Sequence, residues 1–418
     1  MNLRNPRIAI LFTSLFIVMV GFGIVIPVLP FYARSLGASS VDMGLLMTIF
    51  SLMQFLCAPF WGTLSDRIGR KPVLIIGMLG HGVSFILFGI ADSMWLLFVS
   101  RVIGGVLSSA TLPSTFAYIA DVTTDRQRGS GMGMLGAAMG LGVIFGPAIG
   151  GLLAGMSLSA PFFAAAAVSL LDTAFIYFFL PESLPQARGV RPDTLRPEQR
   201  GGGHAPQRGP QIGPMVRSLA GPIGFPLILA FLSSFAVAAL EGIFAFWIQD
   251  EFGYGASEMG IIFVAMGITM VVVQGGIVGR LINAIGDELV IRAGLVLTAA
   301  GFLLILLSSN LVEIIAYGIL WDIGTALLRP SLATIISKRA PGGQGAAMGL
   351  QGSFDSLGRI AGPLWGGFIY QHGTSLPYLS AAAILLASAT ATMVNAFWRR
   401  PLPAGAGESA VSNSTSLD

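Results

Sequence analysis

The sequence predicts an all-α polytopic membrane protein of about 12 transmembrane helices, arranged as two six-helix parallel repeats. Three observations carry this expectation. First, 54% of the 418 residues are hydrophobic and only 10% are charged, too little charge for a soluble chain of this length to keep its surface in water. Mean hydropathy is accordingly +0.80. Second, apolar runs of membrane-crossing length recur along the whole chain. Third, short motifs return at a nearly constant spacing. The 55 glycines suit close approach between membrane helices, and most of the chain is too apolar for glycine-rich disorder.

A helix crossing ~30 Å of hydrocarbon needs roughly 20 mainly apolar residues. Such runs place spans at 8–32, 43–63, 73–91, 95–120, 130–155 and 161–181. After a polar interval, six more fall at 223–249, 257–282, 289–309, 311–337, 346–370 and 376–398. The first run follows Arg4 and Arg7 as a secretory signal would, but it continues to about Leu29 and no A-x-A site follows, so it reads as a spanning helix. Pro72 and Pro181 mark two of the boundaries. The expected organisation is a six-helix bundle over 1–181, a cytoplasmic linker over 182–222 with a short surface helix, a second bundle over 223–398 and a cytoplasmic tail over 399–418.

Charge sets the expected orientation. With the N-terminus inside, the cytoplasmic segments hold nineteen Lys and Arg residues, six of them in the linker, against Arg34 alone outside. Both termini are therefore expected in the cytoplasm of a multi-pass cell-membrane protein. The same placement accounts for the pI near 9.2: the basic excess serves topology and anionic lipid headgroups, and no nucleic-acid partner is needed. The single cysteine, Cys57, has no intrachain disulfide partner and does not decide a redox compartment.

The halves match motif by motif. Residues 62–72 read GTLSDRIGRKP, and 279–289, 217 positions on, read GRLINAIGDEL. Pro113 matches Pro330 at the same offset. GVIFGPAIGG at 142–151 and GRIAGPLWGG at 358–367 share the pattern G-x3-G-P-x2-G-G at an offset of 216. Parallel repeats of this kind put a substrate path at their interface near the midplane.

With these motifs in view, the chain resembles the major facilitator superfamily and, more narrowly, the twelve-helix drug:proton antiporters of the Bmr and NorA type. GTLSDRIGRKP resembles the superfamily's loop 2–3 signature, and RVIGG at Arg101 is similar, less completely, to its fourth-helix motif. GVIFGPAIGG resembles the fifth-helix antiporter motif, with Gly142, Gly146, Pro147, Gly150 and Gly151 in its fixed positions. GFGIVIPVLPFY at 21–32 and LPES at 180–183 also look typical of these exporters. The resemblance implies a secondary active transporter, most narrowly a proton-coupled exporter of hydrophobic, often cationic drugs that works by alternating access. It implies small-molecule substrates, protons and membrane lipids as partners, a monomer, and no cofactor.

The resemblance also assigns roles. In loop 2–3 it implies a latch, with Gly62 allowing close helix contact, Arg67 in the same cluster, and Asp66, Arg70 and Asp121 pairing to close the cytoplasmic side; the plainer reading is that these charges set topology only. The second copy carries Asn283, Ala284, Asp287 and Glu288 at the charged sites, so one dominant switch is expected, in the first half. Pro147 removes a backbone donor and bends its helix, while the neighbouring glycines permit close packing. The repetition of that motif in span eleven means that it does not assign transport direction.

Ionisable groups inside spans are the strongest site candidates, because a charge in lipid is costly. Glu241 in span seven lies roughly 12 Å from the outer end at ~1.5 Å per residue. The related exporters carry an acid in the matching context, LEGIFAFW here, which makes Glu241 the leading candidate for proton coupling and cation recognition, with a structural role as the alternative. Asp322 in span ten comes next, although the related exporters place their acid closer to Arg329-Pro330, where this chain has Ala326. Arg329 has Asp322 and Asp355 as candidate partners, while Asp355 and Arg359 are also i, i+4 neighbours suited to a structural pair. The role of Asp172 in span six is open. For Arg101 the resemblance implies an influence on proton transfer, with a helix-locking ion pair as the alternative. Gln54, Gln274 and Gln351 beside Phe16, Phe235 and other phenylalanines would suit a cavity for lipophilic cations; each phenylalanine equally suits a lipid-facing position.

Other chemistries find little support. GMGMLG at 131–136 fits G-x-G-x-x-G but lies in a membrane-long helical run without a preceding strand. There is no G-x4-G-K-[ST], the three histidines form no metal-ligand pattern, and no catalytic triad is visible, so neither an enzyme nor a metal site is expected. A facilitator of a specific metabolite, sugar or lipid-linked substrate is the main alternative, ahead of a receptor or enzyme embedded in the membrane. Asp66→Asn is expected to weaken transport while leaving membrane insertion intact; full transport in that variant would argue against the latch.

Overall fold

The computed structural model describes residues 6–123, 125–184, 212–340 and 344–394. Most of the expected linker and all of the expected tail lie outside the described residues. In hydrocarbon every backbone N–H and C=O needs a partner within its own segment, and helices supply one. The first half consists of α1 (Pro6–Ser35), α2 (Ser40–Ile68), α3 (Arg70–Gly89), α4 (Met94–Ser108), α5 (Thr111–Val122), α6 (Asp125–Ala154) and α7 (Ala160–Phe179). A short helix, α8 (Ile212–Leu219), precedes the second half, where the linker was expected to carry one. There follow α9 (Gly224–Glu241), α10 (Phe244–Phe252), α11 (Ala256–Val272), a π-turn over Val273–Ile277, α12 (Val278–Ile305), α13 (Leu311–Lys338), α14 (Gln344–Tyr370) and α15 (Leu376–Val394). Among the described residues, ten helical segments are long and apolar enough to cross a membrane.

Two spans expected to be continuous are divided. The fourth is α4 followed by α5, and the seventh is α9 followed by α10, with Glu241 as the last residue of α9. The eighth runs from α11 through the π-turn into α12 and ends at Gly286, whose backbone leaves the helical region. Helix starts follow the local sequence. Ser39 and Asp42 form a capping box at α2, the Asp42 amide donating to Ser39 Oγ at 3.2 Å and the Ser39 amide to Asp42 Oδ2 at 2.9 Å. Asn310 caps α13 by accepting from the Glu313 amide at 3.1 Å.

The described chain forms two compact units. One takes the described residues within 6–184, 241–267 and 363–371, the other those within 212–240, 268–362 and 372–394. In the first, Leu11 and Leu15 of α1, Leu74 and Met78 of α3, Tyr118 of α5, Leu135 of α6 and Ile176 of α7 share one buried core. In the second, Val278 and Val290 of α12 pack with Ala326 and Leu327 of α13.

The repeat is visible in backbone detail. Gly69 and Gly286, 217 positions apart, carry φ/ψ of 109°/158° and 83°/159°, a region open to glycine and strained for other residues. A Cβ on Gly146 would sit 2.6 Å from Gly23 Cα, so α6 and α1 meet backbone to backbone. A Cβ on Gly362 would sit 2.9 Å from the Ala239 amide nitrogen, the equivalent approach of α14 to α9. Further along the motif, a Cβ on Gly260 of α11 would lie 2.9 Å from the Pro147 carbonyl oxygen, and one on Gly44 of α2 would lie 3.0 Å from the Pro363 carbonyl carbon. Each contact has its counterpart 216 positions away.

The offset changes from 216 at Gly44 and Gly260 to 217 at Gly69 and Gly286. The second half therefore holds one extra residue between these points, and the π-turn lies inside that interval. A π-turn is the way a helix takes up an inserted residue without turning everything beyond it.

Gly146→Leu would drive a side chain into the α1 backbone and is expected to cost at least ~1–3 kcal/mol, the usual range for overpacking. A Cβ on Gly133 of the same helix would meet no atom within 4 Å, and Gly133→Leu is expected to be tolerated. Thermal unfolding of the two purified variants checks the pair, and equal midpoints would refute the close approach.

Candidate functional site

The loop between α2 and α3 brings together more than the sequence suggested. Arg70, 8% exposed, stands at the first turn of α3. Its Nη1 donates to Asp66 and, at 2.8 Å, to Ser65 Oγ, while Nε donates to Asp121 Oδ2 of α5 at 3.1 Å. The expected latch residues Asp66, Arg70 and Asp121 thus form one cluster, with Arg67 exposed beside them and Gly62 half-buried near Pro113. Glu182, from the LPES segment after α7, was not foreseen in this cluster. Its carboxylate accepts from the backbone amides of Arg70 at 2.9 Å and Lys71 at 3.1 Å, capping the positive end of α3. Ser183 donates to Asp121 Oδ2 at 2.9 Å, and Tyr118 donates to the Pro181 carbonyl at 2.6 Å. Lys71 Nζ donates to the Tyr177 carbonyl at 2.7 Å. The available signal was an acid just past a helix end in a segment already singled out; its partner on α3 lies over a hundred positions away.

The second copy, with its changed charges, still forms ion pairs. Lys338 Nζ reaches Asp287 Oδ2 at 2.7 Å, and Glu288 pairs with Arg292.

The fifth-helix motif works as a pair of contact faces. Gly142, Gly146 and Gly150 lie against α1, and Gly151 lies against Gly260. Pro147 remains within the continuous helix α6.

The in-span acids have distinct surroundings. Glu241 is half-buried at the division of the seventh span, followed by a buried run from Gly242 to Ile248. In that run the Phe244 ring lies 6.4 Å from Trp247 and 6.2 Å from Phe263. Asp322 is half-buried on α13 with its Oδ2 unpartnered among the described residues, and Thr325 Oγ1 lies 3.5 Å from Oδ1. Asp355 of α14 receives the Ser234 hydroxyl at 3.0 Å and faces Arg329 Nη2 at 4.0 Å. This corrects the i, i+4 pairing expected with Arg359: the guanidinium nearest Asp355 comes from a different helix. Asp172 is 3% exposed, and neither carboxylate oxygen has a hydrogen-bond partner among the described residues.

Arg101, 3% exposed, has no ion-pair partner among the described residues, against the helix-locking alternative. Its guanidinium lies 5.1 Å from the Phe50 ring centroid and 5.2 Å from that of Phe88, with Met47 Sδ at 3.7 Å from Nη2. Aromatic faces stabilise a cation while leaving its net charge uncancelled. Of the candidate cavity residues, Phe16 packs edge-on to Phe145 and Phe235 lies 6.0 Å from Phe231. Gln54 is half-buried, Gln351 is buried with Oε1 unpartnered, and Gln274 is exposed within the π-turn. No three His, Cys, Asp or Glu side chains gather as a metal site among the described residues.

A second cluster was not anticipated. Arg34, counted in the sequence only as the lone outer cation, reaches Asp250 Oδ1 at 2.5 Å and Gln249 Oε1 at 3.2 Å. Its guanidinium lies 4.8 Å from the Phe246 ring centroid, and Tyr370 donates to Asp250 Oδ2 at 2.7 Å. The ends of α1, α10 and α14 are thereby joined within the first unit. No periodicity reveals this contact, because its members lie in different spans and do not repeat.

Comparison with known proteins places these features in a family. The family model described as Major Facilitator Superfamily matches the chain twice, over residues 11–225 and 226–416. Multidrug resistance protein 1 of Bacillus subtilis is 32% identical over 402 residues, covering 96% of this chain and 98% of that protein. Quinolone resistance protein NorA of Staphylococcus aureus is 29% identical, covering 93% and 96%. Among solved structures, nucleoside transporter NupG has a TM-score of 0.78 at 14% identity, covering 95% of this chain and 100% of that one. A bacterial homolog of the human lysosomal transporter Spinster has a TM-score of 0.76 at 13% identity, covering 96% and 99%. A duplicated family match, near-complete coverage of close relatives and the shared fold agree with the paired backbone contacts: the chain is a multi-pass membrane transporter of small molecules and belongs to the Major Facilitator Superfamily.

Proposed function

We propose that the chain is a proton-coupled antiporter that exports hydrophobic, often cationic drugs by alternating access. The observation that carries this reading is Glu241, an acid at the division of the seventh span, followed directly by a buried aromatic run. A carboxyl there can hold a proton or a lipophilic cation, one at a time, because each satisfies the same charge. Such exclusive occupancy is what exchange of drug for proton requires. Relatives named as multidrug and quinolone resistance proteins over nearly their whole lengths support the substrate class.

In this reading Asp322 is a second proton acceptor, Arg101 biases proton movement, and Arg329 with Asp355 organises the second half. Gln54, Gln351, Gln274, Phe16 and Phe235 contribute to the substrate surface. Asp66, Arg67, Arg70 and Asp121 act as the cytoplasmic latch; the close contact expected at Gly62 is absent, since a Cβ added there would stand 3.9 Å from Pro113 Cβ. The bundles over 1–181 and 223–398 rock as the moving bodies, both termini face the cytoplasm, and the transporter works as a monomer. A facilitator of a defined metabolite is the second reading. It draws support from Arg101, a buried cation with no carboxylate partner among the described residues and therefore suited to an anionic substrate.

Purified protein in liposomes with an imposed pH gradient separates the two. A lipophilic cationic dye is expected to move only with the gradient. Glu241→Gln should reduce that movement by at least ~100-fold, the scale of a lost proton-transfer group, while leaving protein abundance unchanged. Dye movement that ignores the gradient, or survives Glu241→Gln in full, would sink the antiport reading.

A further inference from the structure

The paired loops of the two repeats share their backbone and exchange their charges. Gly69 and Gly286 have nearly the same φ/ψ. The next residue is Arg70 in the first repeat and Asp287 in the second, 217 positions apart. Arg70 reaches Asp121, at the end of the fourth span, through Nε at 3.1 Å. Asp287 reaches Lys338, at the end of the tenth span, at 2.7 Å. Asp121 and Lys338 are also 217 positions apart. The same two sites are therefore bridged in both halves, with base and acid interchanged.

The neighbouring position repeats the exchange. Lys71 is answered by Glu288, and each ties its loop to the last span of its own half. Lys71 Nζ donates to the Tyr177 carbonyl of α7. Glu288 pairs with Arg292, whose guanidinium donates to the Thr392 hydroxyl at 3.0 Å and to the Thr392 carbonyl at 2.8 Å on α15. The environments are comparable in burial: the Arg70 side chain is 9% exposed and that of Asp287 is 12%. In each half the first residue of the loop pair is the enclosed one and its partner is more accessible.

We propose that the loop between the eighth and ninth spans is a second latch of reversed polarity, in which Asp287 and Lys338 position the second half for closure as Arg70 and Asp121 position the first. The Coulomb attraction between two charges is the same when their signs are exchanged. Asp287 and Lys338 are positioning residues and touch no substrate.

Charge exchange tests this directly. Asp287→Lys and Lys338→Asp each place like charges together, and the double variant restores an ion pair with the first repeat's polarity. Each single variant should lower the maximal rate of dye export on the order of 5-fold or more, the lower end of typical conformational couplings, at unchanged KM. The double variant should recover most of it. Hydrogen exchange of residues 284–292 in the purified full-length protein supplies a readout that needs no transport: it should quicken in the single variants and slow again in the double variant. The milder Asp287→Asn covers the case in which like charges prevent folding. Single variants with unchanged maximal rate, or a double variant no better than either single, would overturn the latch. Failure of dye transport in the unaltered protein, with the exchange pattern still recovered by the double variant, would instead fault the export reading.

Discussion

Where α6 crosses α1, no side chain separates the two backbones. Helices in a bilayer gain little from hiding apolar surface from lipid tails that are equally apolar, so they associate through close van der Waals contact. That contact is closest where one partner offers only hydrogen at Cα. Gly146 against Gly23, and Gly362 against Ala239, are two of the places where this chain uses it. Much follows from these crossings. They fix the fifth span on the first and the eleventh on the seventh, and the far ends of the same two motifs meet the eighth and second spans. The abundance of glycine is thus a requirement of the assembly, localised to particular helix faces.

Charge then acts at the helix ends, where the apolar crossings leave polar groups to be satisfied. Arg70 is enclosed enough that its guanidinium needs partners on several sides, and it finds Asp66, Ser65 and Asp121. Asp121 is the more enclosed of its two acids, so its loss would weaken the compensation of a desolvated charge and cost more than the loss of an exposed pair. Glu182 adds a different stabilisation by accepting from the first amides of α3. The segment after α7 therefore closes the first bundle as well as leaving it.

Spans, repeat and family were legible because they rest on composition and on patterns that recur along the chain. The glycines of the fifth-span motif could be named for the same reason, whereas Gly62, Asp66 and Arg70 were named through the resemblance of their loop to a family signature. Contacts between different spans were less accessible. Arg34 was counted as a topology marker since nothing in its surroundings announces Asp250 or Tyr370. Asp355 had both Arg329 and Arg359 as candidate partners and helical spacing favoured Arg359, yet its side chain meets Ser234 and Arg329. The pairing of Asp287 with Lys338 went unseen for another reason: comparing residues position by position for the same charge hides a pair whose signs are interchanged. The breaks after Ser108 and Glu241 were also invisible, because hydropathy stays high across both.

The π-turn at Val273–Ile277 bears on how the two halves were able to grow apart. In a regular helix, one added residue rotates all that follows by about 100°. Gly286, Asp287 and the ninth span would then face the wrong neighbours, and the loop's pairing with Lys338 would be lost. The wide turn confines the added residue to one place, so the downstream faces keep their phase. Span eight can differ in length from span two while the machinery beyond it stays in step, like a gear train with one slack coupling. Divergence in this molecule was mechanically affordable at that coupling, and the altered charges of the second loop lie just beyond it.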